Sequence, residues 1–321
     1  MMSNGVHPKG TAVPIGWTPS LFFPALGKQL CKKSLKERIF WGELPWKMRG
    51  KRGIIWFSKK RKGGGLMRYT EDEIRQYVIE EDVKFLRLAF CDVYGKQKNI
   101  SIQPDELERA FEYGIAFDAS AIPGFGSEIH SDLFLQPDTG TLCVLPWRPD
   151  HGRVVRMFCN ILHPDGTPFA SDTRRVLQNA VAAASFSFGS EMEFYLLQRD
   201  ENGEATRVPY DRAGYMDIAP EDKGENIRRE ICLTLSQMGI RPECSHHEQG
   251  PGQNEIDFRY SDPMAAADNA LTFRAVVNTI AVQSGLAADF SPKPLPGQPG
   301  NGMHINISAR SRDGRDVMPQ V

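Results

Sequence analysis

Three short segments of the chain carry side chains that could bind divalent cations together. They read GSEMEF at residues 189–194, HHEQGPGQNE at 246–255 and GMHINIS at 302–308. Several carboxylates on one surface repel each other, and burial makes the repulsion stronger, so such a surface favours a bound cation. Divalent cations held in this way neutralise phosphate charge during phosphoryl transfer. The chemistry that these segments suggest is therefore metal-assisted phosphoryl transfer.

Strand geometry explains why these residues could act together. Side chains alternate between the two faces of a β-strand, so residues two apart share a face. The polar residues at this spacing are Glu191 and Glu193, His246 and Glu248, Glu255 and Asp257, and His304, Asn306 and Ser308. The alternate positions are mainly apolar, among them Met192 and Ile305. After Glu255, we expect Ile256, Phe258 and Tyr260 to face the core. Each segment therefore predicts a strand with one apolar face and one metal-competent face.

The Gly-Pro-Gly turn of the second segment predicts a hairpin in which Glu248 and Glu255 face each other. Like charges directly opposite are destabilising unless a positive group lies between them. If Glu191, Glu193 and His304 lie on the same sheet, too many ligands converge for one Mg²⁺ that keeps its waters. Oxygen ligands with one imidazole favour Mg²⁺ or Mn²⁺ over Zn²⁺, so the sequence predicts two such ions.

A simpler interpretation exists for each segment alone. Two glutamates two residues apart are common on the solvated face of an antiparallel sheet, and a single histidine on a strand is more often structural. The repetition of the pattern in three strands favours the metal site.

The surrounding sequence predicts an α+β protein with two units. Thr70 can cap a helix that precedes strand-like runs, and this first unit continues to about Asp165. A second unit opens with a helix capped by Ser171 or Asp172. It contains two more helices, one ending at Gly239 and one that begins at Pro263 after an Asp262 cap.

Composition separates the first 66 residues from the rest. They hold ten lysines and four arginines against two acidic residues, whereas the whole chain of 321 residues has a net charge of −1. The segment lacks helical or strand periodicity, so we expect it to stay outside the fold, either disordered or upstream of a true start at Met67. Six cysteines without a CxxC pair predict free thiols and a cytoplasmic protein. We expect neither nucleic-acid nor membrane binding.

The motifs resemble those of type I glutamine synthetases. That family has G-x-E-x-E-F where this chain has GSEMEF, H-H-E and G-Q-N-E where it has HHEQGPGQNE, and P-K-P followed by G-M-H-x-[HN]-x-S where it has SPKP and GMHINIS. FDASAIPGF stands where the family has F-D-G-S-S-I-x-G-F. The resemblance extends from about Met67 to Val321 with the motifs in order.

The resemblance implies a fold and a set of site residues. The fold would be a β-grasp-like domain at 67–165 and a catalytic α/β domain at 166–321 with a curved antiparallel sheet, incomplete at its C-terminus. The implied roles are Glu193, Glu248 and Glu255 for the first metal, Glu191 and His304 for the second, Gly300 for the amino-acid substrate, Asn306 and Ser308 for the nucleotide, and Asp118 for ammonium in a neighbouring subunit's site. On the residues alone, Asp118 could equally be a turn-capping aspartate.

The implied reaction is the ATP-dependent joining of ammonia to L-glutamate through γ-glutamyl phosphate. The implied assembly is a homo-oligomer, a dodecamer of two hexameric rings. Family chains continue for more than a hundred residues that carry further arginines and a metal ligand, so we expect this 321-residue chain to be a fragment that is inactive alone.

Several positions depart from the family pattern. Ala119 and Ala121 replace a glycine and a serine, Met216 replaces an aromatic residue, and Pro299 replaces an asparagine before Gly300. These departures keep open a ligase of the same fold that joins glutamate to an amine. A non-catalytic structural or regulatory relative is the third alternative, but it gives no electrostatic reason for clustered carboxylates.

Overall fold

The structure is a computed structural model that describes residues 69–126, 132–148, 152–311 and 313–318. All of these residues belong to one compact unit. The basic segment at 1–66, expected to stay outside the fold, lies outside the described residues. Within the described ranges, no helix has both the length and the apolar character that a bilayer span requires.

A mixed sheet forms the first layer of the structure. Its strands are β1 (Val83–Cys91), β2 (Gln97–Ile102), β3 (Ile115–Asp118), β4 (Asp132–Pro137), β5 (Cys143–Val144) and β6 (Arg153–Leu162). The order is β2-β1-β6-β4-β3, and β5 also pairs with β6. β1 and β6 run parallel, whereas the other pairs are antiparallel. This sheet confirms the predicted β-grasp-like domain.

Helices α1 (Glu71–Glu80) and α2 (Leu107–Glu112) pack on this sheet. The start of α1 is the one that the sequence predicts, because Thr70 and Glu73 form a reciprocal capping box. The Thr70 hydroxyl accepts from the Glu73 amide at 3.2 Å, and the Glu73 carboxylate accepts from the Thr70 amide at 2.9 Å. Ile74 and Ala110 are fully buried against Leu86 and Leu135 of the sheet.

A second sheet, antiparallel throughout its described strands, carries the metal-type residues. Its strands are β7 (Ser185–Arg199), β8 (Ala205–Pro209), β9 (Pro242–His247), β10 (Gln253–Phe258), β11 (Leu286–Asp289) and β12 (Met303–Arg310). The long strand β7 pairs with β8, β10, β11 and β12, and β9 pairs with β10. The strand pairing therefore places the three metal-type segments on one sheet, as the sequence predicts.

Helices α3 (Thr173–Ala180), α4 (Glu225–Gln237) and α5 (Pro263–Gln283) accompany this sheet. Asp262 caps α5 as predicted, since its carboxylate accepts from the Ala265 amide at 3.0 Å. Ile231 of α4 and Phe273 of α5 are fully buried against Phe194 and Ile256. Because these helices cover the apolar face of β7 and β10, the opposite face remains for polar side chains.

Arg174 of α3 joins the two sheets. Its guanidinium donates to the Asp138 carboxylate, just after β4, at 2.6 Å and also pairs with Asp268 of α5. The arginine is 8% exposed. A buried arginine between two carboxylates links the layers at a position away from the polar face of the second sheet.

One expectation about an apolar residue is wrong. Strand alternation predicts that Tyr260 faces the core with Phe258, but Tyr260 is 52% exposed. The strand ends at Phe258, so the alternation no longer holds at Tyr260, whose ring lies against Gly189. The apolar residues of β12 are also open: Met303, Ile305 and Ile307 are 56%, 51% and 45% exposed, because the core beneath α4 and α5 does not extend under them.

Candidate metal centre

β7 lies at the middle of the candidate site. In the β10 pairing, Glu255 opposes Glu193 and Asp257 opposes Glu191, whereas in the β12 pairing His304 opposes Glu191. Because β10 and β12 pair with the same part of β7, they lie along its two opposite edges. Residues directly opposite each other share a face, so this register brings the acidic residues and the histidine onto one surface.

The first ligand group consists of His246, Glu248 and Glu255. The Nε2 atom of His246 lies 3.0 Å from Oε1 of Glu248 and 3.4 Å from Oε2 of Glu255. All three ligand atoms lie within 4.8 Å of one another. Both carboxylates are 8% exposed, so water screens their repulsion poorly. The imidazole of His246 therefore lies between the two carboxyl groups.

The hairpin register differs from the one predicted. Glu255 pairs with His246, and the Glu248 amide donates to the Gln253 carbonyl oxygen at 2.8 Å, so Glu248 and Glu255 are diagonal neighbours rather than a facing pair. The reason is the turn, which spans the four residues 249–252 and is centred one residue earlier than the sequence suggested. Gly252 adopts φ +71°, a conformation that favours glycine.

The protonation of Glu255 reflects this crowding. Burial, together with the charge of Asp257 and contact with the Glu248 carboxyl, raises the pKa of Glu255 to about 8. A carboxyl group that holds its proton at neutral pH beside other carboxylates indicates that its surroundings lack positive charge. A divalent cation would supply that charge, so the donor set fits Mg²⁺ or Mn²⁺.

The second ligand group consists of Glu191, Glu255 and His304, whose ligand atoms also lie within 4.8 Å of one another. The Nδ1 atom of His304 lies 3.1 Å from Oε2 of Glu191, and the Asn306 amide donates to Oε1 of Glu191 at 2.6 Å. Glu255 belongs to both groups, so the two groups adjoin. Two adjoining groups with one shared carboxylate are an arrangement typical of paired-metal sites.

Glu193 lies beside these groups but belongs to neither. Its Oε2 atom accepts from the Gln253 amide at 2.7 Å, and a Cβ atom at Gly302 would lie 2.6 Å from its Oε1 atom. The structure therefore brings Glu248 and Glu255 together and leaves the Glu193 carboxylate bound to Gln253. Its role as a ligand of the first metal stays a prediction.

Gln253 is a residue of the site that the sequence analysis missed, although the G-Q-N-E motif contains it. Besides Glu193, its amide donates to the carbonyl oxygen of Gly300 at 2.9 Å. Gly300 packs so closely that a Cβ atom there would lie 2.5 Å from the Pro292 carbonyl oxygen. The neighbouring Pro299 carbonyl accepts from the Tyr195 hydroxyl at 2.7 Å. These contacts fix the 299–300 loop beside the ligand groups.

Two predicted residues, Ser308 and Asp118, lie outside the two ligand groups. Ser308 follows Asn306 on β12, opposite Ser187 of β7, and is exposed. Asp118 ends β3 of the other sheet, where its carboxylate caps a turn by accepting from the amide and hydroxyl of Ser120 at 2.9 and 2.7 Å. The capping role is thus observed within the chain, and the proposed role toward ammonium stays a prediction.

A third group of ligand-type residues, Asp211, Asp222 and His247, is fully buried behind the hairpin. Its charges already have partners: Arg228 forms an ion pair with Asp222, and Nε2 of His247 lies 2.8 Å from Asp211. Burial lowers the pKa of His247, but its hydrogen bonds with Asp211 and the Glu248 carbonyl outweigh burial and raise it. A group whose carboxylates are already paired within the chain is a structural network rather than a metal site.

The raised pKa of Glu255 predicts how metal binding depends on pH. The proton that Glu255 carries below its pKa of about 8 must leave before a cation binds. We therefore expect Mn²⁺ affinity to rise about fivefold from pH 7 to pH 8 and to level off above about pH 9. Calorimetric titrations in buffers of different ionisation enthalpy would also detect the released proton at pH 7. An affinity that stays constant from pH 7 to pH 8 would contradict this assignment.

Comparison with known proteins gives matches over both sheets. The family profile described as "Glutamine synthetase, beta-Grasp domain" matches residues 82–164, and "Glutamine synthetase, catalytic domain" matches residues 170–320. A glutamine synthetase of Clostridium saccharobutylicum is 46% identical over 257 residues, which cover 78% of this chain and 58% of that protein. One of Staphylococcus epidermidis is 45% identical over 246 residues, covering 75% of this chain and 55% of that protein.

Solved structures give the same result for the fold. A protein named GmaS, solved without ligand, has a TM-score of 0.68 at 27% identity and covers 76% of this chain and 58% of that chain. The glutamine synthetase of Plasmodium falciparum has a TM-score of 0.69 at 23% identity and covers 78% of this chain and 55% of that chain. This chain thus spans little more than half the length of the proteins it matches.

Proposed function

This chain belongs to the glutamine synthetase family, and on that premise we propose that its protein joins ammonia to L-glutamate in an ATP-dependent reaction that proceeds through γ-glutamyl phosphate. The observation that carries the proposal is the pair of adjoining ligand groups that share Glu255. Phosphoryl transfer to a carboxylate needs concentrated positive charge at the transferred group, and this surface is built to hold it.

In the proposed reaction, Glu193, Glu248 and Glu255 hold one divalent ion and Glu191 and His304 hold a second. When bound, Mg²⁺ or Mn²⁺ neutralises the charge that develops on the transferred phosphoryl group. The role of the protein residues is to fix these positions: β7 presents Glu191 and Glu193, while the hairpin presents Glu248 and Glu255 from the neighbouring strands.

The substrate residues are also part of the proposal. Gly300, which Gln253 ties to the metal-bearing surface, offers its backbone to L-glutamate. Asn306 and Ser308 lie on the ATP side of the site, and Asn306 orients Glu191 through a hydrogen bond of 2.6 Å. Asp118 of the other sheet serves the ammonium site of a neighbouring subunit in a homo-oligomer, taken to be a dodecamer of two hexameric rings.

The test is an assay of phosphate release from ATP that depends on L-glutamate and ammonium. It should use this chain and a hybrid in which the C-terminal part of the Clostridium saccharobutylicum relative follows residue 318. We expect ammonium-dependent turnover by the hybrid and its loss on replacing Glu191 by glutamine. A hybrid that folds, binds Mn²⁺ and still shows no turnover with ammonium or an amine would contradict the proposal.

A second candidate is a ligase that uses an amine in place of ammonia. Pro299 supports it, because proline offers no side-chain amide beside Gly300 and its carbonyl oxygen is already bound by Tyr195. The same assay distinguishes the two candidates. If the protein is an amine ligase, methylamine gives faster turnover than ammonium at equal concentration; if it is an ammonia ligase, ammonium gives the faster turnover.

A further inference from the structure

A buried polar network lies on the back of the hairpin that carries Glu248 and Glu255. His247 and Asn254 face each other in the β9–β10 register and are 0% and 1% exposed. Each is the direct neighbour in sequence of one of the two glutamates. Because side chains alternate along a strand, these residues point away from the ligand face. The proposed reaction has no direct contact with them.

One branch of the network connects the hairpin to α4. Nη1 of Arg228, in the first turns of the helix, donates to Oδ1 of Asn254 at 2.6 Å and to Oδ1 of Asp222 at 3.1 Å. Its Nη2 atom donates to the second oxygen of Asp222. The amide of Asn254 in turn donates to the carbonyl oxygen of Gly252 at 2.9 Å. A continuous chain of contacts therefore runs from the helix to the turn.

The other branch reaches the same glycine from a different loop. Nδ1 of His247 lies 2.6 Å from the carbonyl oxygen of Glu248, and Nε2 lies 2.8 Å from Oδ1 of Asp211. The same oxygen of Asp211 accepts from the Gly252 amide at 3.0 Å. Both polar groups of the Gly252 backbone are thus bound, one by each branch. The turn between the two glutamates is held from behind at its last residue.

The network leaves little room for rearrangement. A Cβ atom at Gly224 would lie 2.8 Å from Oδ1 of Asn254 and 3.2 Å from Nη1 of Arg228, and one at Gly252 would lie 2.8 Å from the Leu196 carbonyl oxygen. Arg228 is 5% exposed and Asp222 is 2% exposed. A buried ion pair contributes little net stability compared with apolar packing of similar volume. What the arginine fork contributes here is therefore a fixed geometry between its partners.

We propose that Arg228 is a positioning residue, which acts through Asn254 and Asp222 to hold Glu248 and Glu255 at the separation that a shared metal ion requires. The inference rests on the proposed metal centre. Partners beyond the direct ligands typically change metal affinity by ~10–100-fold, because they fix the orientation of the ligands. A lysine at 228 would keep the charge beside Asp222 but would lose the planar fork that binds Asp222 and Asn254 together.

The experiment measures Mn²⁺ binding at pH 8 by electron paramagnetic resonance, together with urea unfolding of the metal-free chain. Arg228→Lys is compared with Arg174→Lys, which alters another buried arginine between acidic partners, Asp138 and Asp268, outside the hairpin. We expect Arg228→Lys to weaken Mn²⁺ binding about 10–100-fold and Arg174→Lys to leave it unchanged, although both lower stability. Asn254→Ser, which keeps the Arg228–Asp222 pair, should weaken binding similarly and replaces Arg228→Lys if that variant does not fold.

The outcomes separate this inference from the proposed function. Wild-type affinity in Arg228→Lys, or in Asn254→Ser if it is the variant that folds, would overturn the positioning role and leave the metal centre intact. An equal loss in Arg174→Lys would also overturn it, because general destabilisation would then explain the effect. A wild-type chain that binds no Mn²⁺ would instead overturn the metal centre on which the inference rests.

Discussion

Replacing Glu255 by glutamine is expected to weaken Mn²⁺ binding by at least about 100-fold, more than the ~10–100-fold typical of residues outside the ligand shell. Glu255 belongs to both ligand groups, so the change removes a charged oxygen from each. Glutamine has nearly the same shape as a protonated glutamate. Because burial and its acidic neighbours raise the pKa of Glu255 to about 8, the metal-free protein already holds the protonated form at neutral pH.

Metal-free stability provides an independent check on this variant. In the unfolded chain Glu255 has the ordinary glutamate pKa of 4.5, but the folded chain holds the proton until the pH reaches about 8. The folded state is therefore increasingly disfavoured as the pH rises from about 4.5 to about 8. Glutamine does not ionise, so Glu255→Gln should match or exceed the wild-type stability at pH 8 while binding Mn²⁺ poorly.

Titration with Mn²⁺ and urea unfolding without metal would test both expectations. Glu243→Gln is a matched control, because it removes one negative charge from an exposed position on the same hairpin. That control should leave Mn²⁺ affinity close to the wild-type value, and Glu255→Gln should also remove the increase in affinity between pH 7 and pH 8. An affinity for Glu255→Gln within about threefold of the wild type would contradict the shared position of Glu255.

Replacing Phe273 by alanine is expected to lower the free energy of unfolding by about 3–5 kcal/mol. Phe273 is fully buried at the centre of α5, and its ring makes edge contacts with those of Phe194, Phe258 and Phe290 at centroid distances of 5.8, 5.0 and 5.9 Å. Alanine would leave a cavity that three rigid rings cannot fill. Phe194 follows Glu193 on β7, so this packing also supports the strand that presents the ligands.

Urea unfolding of the metal-free chain measures this change. Val282→Ala is the control, because Val282 lies on the same helix but is 56% exposed, and surface substitutions usually change stability by less than about 0.5 kcal/mol. Equal midpoints for Phe273→Ala and the wild type, with unchanged slopes, would contradict the central position of Phe273 in the core.

Local sequence signals predict the helices and the strand faces well. Thr70 and Asp262 mark helix starts, because capping depends on residues only three positions apart. Alternation along β7 places Met192 and Phe194 in the core and Glu193 on the other face, because pleating fixes the direction of each side chain.

Features that depend on distant contacts are harder to predict. The turn centre shifts by one residue, and this shift makes His246 the partner of Glu255. Arg228 contacts Asn254, which is 26 positions away in sequence, and His247 contacts Asp211, which is 36 positions away. No local sequence pattern links residues so far apart. The exposure of Ile305 likewise depends on which elements cover β12, which strand periodicity does not specify.

Diffraction at the manganese absorption edge, from crystals grown with Mn²⁺, tests the central claim most directly. Two anomalous peaks are predicted on the polar face of the second sheet, one beside Glu248 and Glu255 and one between Glu191 and His304. Peaks that occur instead beside Asp211 and His247, or no peak on the polar face at saturating Mn²⁺, would contradict the account.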